Sequence, residues 1–239
     1  MKKLTLVLLT VILFVTSNSN AAETSKDAWK AYGEKNYTEA VKIFKSLALN
    51  GDEEAQFDLG AMYQDGRVIK QDYIEAMKWF RLAAAQNTSF ASLSQLKIGE
   101  MYASGQGVSQ NYAEAIKWFK LSASWNNASA RINLGNMYAS GQGVSQDYAE
   151  AILWYKLVAA QSGPIAHIAQ FKLGVIHERG HGVLQNYVLA HMWWNIAAKE
   201  GNSLAITYRD KIAEKMSPQQ LSEAQKLAIE CMGRKYNDC

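Results

Sequence analysis

The sequence predicts an all-α protein built as an α/α solenoid of stacked helix-pair repeats. Three observations carry that expectation. Tryptophans at Trp79, Trp118, Trp154 and Trp193 are spaced 39, 36 and 39 residues apart. Glycines at Gly60, Gly99, Gly135 and Gly174 keep the same uneven rhythm, as do Tyr63, Tyr102, Tyr138 and His177. Only two prolines, Pro164 and Pro218, interrupt the 239 residues, so long helices are permitted almost throughout. A fixed period of this length marks a repeat architecture, in which each unit buries its apolar face against the next.

Each unit reads as two helices. In the first full unit, the first helix runs roughly over residues 55–64 and carries Leu59, Gly60 and Tyr63. The second starts near Gln71 or Asp72 and reaches about Gln86. There Tyr73, Ala76, Met77, Phe80 and Ala84 follow the i, i+3, i+4, i+7 spacing of an amphipathic helix. Between the helices lies a glycine turn: Gly105-Gln106-Gly107-Val108 and its counterparts from Gly141 and Gly180. Glycine reaches the left-handed conformation in which helices commonly end. Asp72, Asn111, Asp147 and Asn186 stand where an N-cap is needed. A glycine inside a helix costs about 1 kcal/mol against alanine. Four in register imply a repeated benefit, read here as close approach of the partner helix. Ala76, Ala115, Ala151 and Ala190 are expected to serve likewise on the second helices, with the tryptophans filling the gap between units.

The base period is 36, with three-residue insertions near 87–90 and 163–167. The predicted organisation is a secretory signal peptide over 1–21, a partial unit over 22–52, and four full units over about 53–89, 90–127, 128–163 and 164–202. Closing helices and a tail occupy 203–239. Ser217-Pro218-Gln219-Gln220 has the cap, first-turn proline and returning glutamine of a helix start. At the other end, a basic Met1-Lys2-Lys3, an apolar run over 4–15 and small residues up to Ala21 form the signal pattern, cut after Ala21 or Ala22. The apolar run is short for a membrane span. The expectation is therefore an exported protein, periplasmic or secreted, with no stable membrane anchor after cleavage.

Cleavage would leave 23 basic and 22 acidic residues, since only Lys2 and Lys3 go. A nearly neutral chain without a basic run offers little counterion-release energy, so no nucleic-acid partner is expected. The two cysteines, Cys231 and Cys239, leave two readings open: a short C-terminal bridge, which an oxidising compartment allows, or two free thiols in the tail.

The string Ala-x-x-x-Leu-Gly-x-x-Tyr, a Gly-x-Gly-Val turn, and Tyr-x-x-Ala-x-x-Trp-x-x-x-Ala-Ala closely resembles the Sel-one-like repeat family, relatives of the tetratricopeptide solenoids. The first unit departs at Gly66-Arg67-Val68, which lacks the second turn glycine, and the fourth at His177. The resemblance implies a scaffold or adaptor that binds a protein or peptide partner, an envelope or host protein, with no shared catalytic residues, no cofactor and no metal. In such solenoids first helices line the concave side. Positions that differ between units on that face are the candidate partner-binding residues: Ala61, Gln64, Glu100, Asn136, Val175, Glu178 and Arg179. The recurring aromatics are read as core. Trp125 and Trp194, outside the tryptophan series, are candidate surface anchors.

A cell-envelope hydrolase is the competing reading. His177-Glu178-Arg179-Gly180-His181 matches the zinc-peptidase string His-Glu-x-x-His, with Glu200 available as a third ligand. The repeat register opposes it, because the helix should end near Gly180 and leave His181 off the face. Some cysteine-rich relatives resemble β-lactamases, and Ser94-Gln95-Leu96-Lys97 has the Ser-x-x-Lys spacing. Paired cysteines are absent from the repeats here, and the serine falls inside a repeat helix.

Overall fold

The computed structural model describes residues 24–161, 163–234, 236 and 239, so the signal-peptide segment lies outside the described residues. Those residues form twelve helices and no strand. The leading pair is α1 (Ser25–Gly33) and α2 (Tyr37–Leu49). Four pairs follow: α3 (Glu53–Asp65) with α4 (Tyr73–Ala84), α5 (Ser89–Ser104) with α6 (Tyr112–Ser124), α7 (Ala128–Ser140) with α8 (Tyr148–Ala159), and α9 (Ala166–Arg179) with α10 (Tyr187–Lys199). The closing helices are α11 (Ser203–Ala213) and α12 (Pro218–Gly233), and both pack on α10. Neighbours in sequence are neighbours in space through α11, and only α12 folds back past its predecessor onto α10. This is the expected all-α solenoid.

Within each full unit the pair closes over the mid-helix glycine. The ring of Phe80 lies on Gly60, Phe119 on Gly99, Tyr155 on Gly135 and Trp194 on Gly174. All four aromatics are buried. An ideal Cβ at Gly135 would stand 2.5 Å from Tyr155 Cε1, nearer than atoms can approach. Ala76, Ala115, Ala151 and Ala190 are wholly buried, as expected. Trp194 is therefore no surface anchor. It is the fourth member of the glycine-covering series, one residue beyond Trp193, and its indole N–H donates to the Phe171 carbonyl at 3.1 Å.

Each repeat tryptophan reaches back to the preceding unit. Trp79 joins the cluster of α1–α3, Trp118 that of Phe80, Ile98 and Met101, and Trp154 that of Ile116, Phe119 and Leu134. Trp193 packs with Tyr155, Val158 and Leu173.

The turns repeat just as closely. α3, α5, α7 and α9 end at left-handed glycines Gly66, Gly105, Gly141 and Gly180. The side-chain amide of the residue two before each second helix donates to a first-helix carbonyl: Gln71 to Gln64, Gln110 to Ala103, Gln146 to Ala139 and Gln185 to Glu178, at 2.8–2.9 Å. The next backbone N–H, from Asp72, Asn111, Asp147 and Asn186, donates at 2.9 Å to the carbonyls of Tyr63, Tyr102, Tyr138 and His177. His177 meets this need as well as tyrosine, because the bond uses its backbone. Val68, in place of the second turn glycine, avoids the left-handed region and packs against the α1–α3 cluster. Gly143, by contrast, is left-handed, and a Cβ there would meet Tyr112 of the preceding unit at 2.6 Å.

The two insertions alter only first-helix starts. Asp52, Asn127 and Asn202 cap α3, α7 and α11 through their side chains. Thr88 before α5 and Ile165 before α9, beside the insertions, make no such bond. At the far end Cys231 and Cys239 are joined, and Tyr236 between them donates to Glu200 Oε1 at 2.6 Å. The bridge thus staples the tail onto α12, and the Tyr236 bond ties it to the end of α10.

Two outcomes follow for stability. Gly135→Ala should lose about 1–3 kcal/mol by overpacking against Tyr155, although alanine is the better helix former; urea unfolding of the variant measures it. Reducing the Cys231–Cys239 bridge should cost about 2–3 kcal/mol, the closure entropy of a loop this short. Parallel unfolding curves with and without dithiothreitol would check that figure, with Cys239→Ser matching the reduced protein.

Candidate functional site

The first helices lie in series, with α3 touching α5 directly, and three hollows follow one another along them. The first, of about 510 Å³, opens between α1, α3 and the following turn. The second, of about 350 Å³, lies between α5 and α7, and the third, of about 420 Å³, between α7 and α9 with α11 at its edge. All fall in the size range of ligand clefts.

Six of the seven sequence-derived candidates line these hollows. Ala61 and Gln64 face the first, Glu100 the second, Asn136 both the second and the third, and Val175 and Arg179 the third. Glu178 is not among the lining residues; it sits beside Arg179, with Nε to carboxylate oxygen at 3.8 Å. Nor are these candidates merely solvated. Asn136 Oδ1 accepts the Tyr155 hydroxyl at 2.8 Å, and Ala61 and Val175 pack against core clusters.

Two further series line the hollows and escaped the sequence reading. The second-helix tyrosines Tyr73, Tyr112 and Tyr148 each form part of one hollow. They recur with the fold, which is why they read as packing alone. The other series is Asp58, Lys97, Asn133 and Lys172, three residues before Ala61, Glu100, Asn136 and Val175. It varies in charge from unit to unit. The signal was available, since i−3 positions share a helical face.

The electrostatics differ along the row. In the first hollow burial pushes the Asp58 carboxyl up to about 7, with Glu54 adding to the effect and the Trp29 indole opposing it. Asp58 Oδ2 is buried without a hydrogen-bond partner. Lys97 is neutralised by Glu100 at 2.9 Å. In the third hollow burial lowers the pKa of Lys172, whose ammonium stands 5.8 Å from the Tyr155 ring centre.

The hydrolase motifs do not assemble. His177 is buried on α9, while His181 lies beyond the left-handed Gly180 and stacks 4.7 Å from Tyr148. The two imidazoles share no helical face, and Glu200 is engaged by Tyr236. Among the described residues no three His, Cys, Asp or Glu side chains gather as metal ligands. Ser94 is completely enclosed and Lys97 is paired with Glu100, so neither presents a nucleophilic dyad. Trp125 is exposed at the end of α6 but outside the three hollows.

The family model for the Sel1 repeat matches residues 29–52, 53–88, 92–124, 128–162 and 167–202. It thus scores the leading pair as a fifth, shortened unit. A Sel1 repeat protein from Oxalobacter formigenes superposes with a TM-score of 0.72 at 28% identity, covering 87% of this chain and 84% of that one. The second similar structure is c5321, a protective antigen present in uropathogenic Escherichia coli strains that displays an SLR fold. It gives a TM-score of 0.57 at 25% identity over 87% of this chain. This chain spans about half of its length, 54%. No curated protein sequence matches at a significant level.

Asp58 sets a pH dependence whose sign is defined. Its folded pKa, about 7, exceeds the ordinary 3.8, so the native state holds the proton more tightly. That contribution is full below pH 4 and is lost as pH rises towards 7. Asp58→Asn should therefore raise stability at pH 8 and leave it unchanged at pH 4, as read from urea midpoints at both pH values.

Proposed function

From the chain's membership of the Sel1 repeat family, whose fold is a typical protein–protein interaction scaffold, we propose that it is an exported adaptor that holds a peptide or protein partner along its first-helix, concave face. One observation carries this reading. Packing positions repeat from unit to unit, whereas two first-helix series lining three consecutive hollows do not: Asp58, Lys97, Asn133 and Lys172, and Ala61, Glu100, Asn136 and Val175. A surface that varies on an invariant frame supplies a sequence of distinct contacts at a spacing set by the frame. Summed over several units, modest contacts give useful affinity without a deep pocket.

Export rests on the signal pattern over 1–21 and agrees with the Cys231–Cys239 bridge, since disulfides persist in oxidising compartments. The likeness to a protective antigen points the same way. Among the described residues no helix is long and apolar enough to cross a membrane. The mature chain accordingly works in the periplasm or outside the cell, on an envelope or host protein, without nucleic acid.

Affinity capture with residues 22–239 tests the surface. Ser104 and Ser140 are exposed and line the second and third hollows, so Ser104→Arg/Ser140→Arg blocks both. Ala149→Arg, on the exposed side of α8, is the control. A stoichiometric partner should be retained by wild type and control and weakened at least tenfold by the double variant. Equal retention by all three proteins would place the contact elsewhere.

A further inference from the structure

The third hollow differs from its neighbours in having cations without an acid. Lys172 and Arg179 line it, together with His181, and no Asp or Glu does. The reason lies in the repeat register. Lys97 and Lys172 occupy equivalent positions on α5 and α9. Three residues on, the second unit places Glu100, which pairs with Lys97 at 2.9 Å. The fourth unit places Val175 there instead, and the lysine loses its acid. Lys172 is half-buried on the Tyr155 ring, and among the described residues it forms no ion pair.

An ammonium withdrawn from water without a counter-ion is unfavourable, and an incoming carboxylate would remove that cost. Arg179, two turns further along α9, brings a second cation to the same hollow. Its contact with Glu178 is long, at 3.8 Å between an exposed guanidinium and a half-buried carboxylate, and leaves guanidinium N–H groups available. The apolar side of the hollow is formed by Phe171 and Tyr208, packed edge to face with ring centres 5.2 Å apart. Tyr208 is 40% exposed and comes from α11, so the closing helix contributes to the hollow as well as covering the last repeat.

We propose that this hollow receives the side-chain carboxylate of an Asp or Glu in an acidic peptide segment, held between Lys172 and Arg179, with an adjoining aromatic residue against Phe171 and Tyr208. The inference rests on the first-helix face being the binding surface and adds the chemistry that this part of it reads. Charge-assisted bonds to a carboxylate are the strong kind, more so where the lysine is already partly desolvated.

The test uses residues 22–239 and peptides of sequence Ser-Glu-Phe-Glu-Ser, labelled with fluorescein at the N-terminus and amidated at the C-terminus. Controls are Ser-Gln-Phe-Gln-Ser and a Gln version with a free C-terminal carboxylate. Anisotropy should show the Glu peptide binding at least tenfold more tightly than either control and weakening as salt rises from 0.1 to about 0.5 M. Lys172→Met should remove that preference, Lys172→Arg should keep it, and Lys226→Met, exposed on α12 and outside the three hollows, should leave it unchanged. Val175→Glu is a second, independent variant: it restores the spacing of the Lys97–Glu100 pair and should abolish binding while circular dichroism reports an intact fold. Equal binding of Glu and Gln peptides would overturn the carboxylate assignment and leave the peptide-binding surface standing. Preference for the free C-terminus would replace the side chain by a chain terminus and equally overturn it. Absence of binding by every peptide at millimolar concentration would also reject the assignment, with the surface itself then judged by the arginine-blocking capture experiment.

Discussion

An aromatic ring lying directly on a helix backbone sets the geometry of every full unit. Phe80, Phe119, Tyr155 and Trp194 reach their partner helices only because Gly60, Gly99, Gly135 and Gly174 have no Cβ. Glycine weakens a helix by about 1 kcal/mol, yet burying a large ring at such close range returns more than that. The short approach brings the two helices of a pair together and leaves the following tryptophan-bearing face free to pack on the preceding unit. The ring can change from phenylalanine to tyrosine to tryptophan because one side of the contact is invariant. That tolerance also has a functional consequence: the Tyr155 hydroxyl, absent from Phe80 and Phe119, is what engages Asn136 on the candidate surface.

The turn completes the frame with bonds that are independent of most side chains. A left-handed glycine ends the first helix, a glutamine amide and the next backbone N–H satisfy two of its final carbonyls, and an Asp or Asn starts the second helix. Helix ends leave such carbonyls unsatisfied unless something meets them. With the ends fixed in this way, the half-buried positions along the hollows of the first helices are released from holding the turns together. Charge can then vary at Asp58, Lys97, Asn133 and Lys172 without disturbing the stack, and a scaffold acquires its specificity at positions of this kind.

The same frame explains why two enzyme-like strings carry no site. His177 and His181 straddle a left-handed glycine, so the helical face that a metal-binding His-Glu-x-x-His requires is interrupted. Ser94 is enclosed by the packing of α5, and its Lys97 is neutralised by Glu100. A short string acquires chemistry only through the conformation around it, and here that conformation belongs to the repeat.

Periodicity made the fold legible in the sequence alone. The register of Trp79, Gly60, Tyr63 and their counterparts determined the helix pairs, the glycine turns, the caps at Asp72, Asn111, Asp147 and Asn186, and the atypical ends, because stacked units impose one packing problem four times over. The same register located six residues of the hollows, since positions that vary between units are those the repeated packing does not specify. Only the tertiary structure decided which variable positions meet. Lys172 and Tyr155 lie in different helices, as do Asn136 and Tyr155 or Phe171 and Tyr208, and no local spacing brings them together. It also moved Trp194 from the surface to the core, since the residue that covers Gly174 is identified by contact rather than by the tryptophan count. Charge balance in a hollow is likewise a property of neighbours in space: Lys97 and Lys172 are the same residue in the same register, and the partner within reach makes one a closed pair and the other an open cation.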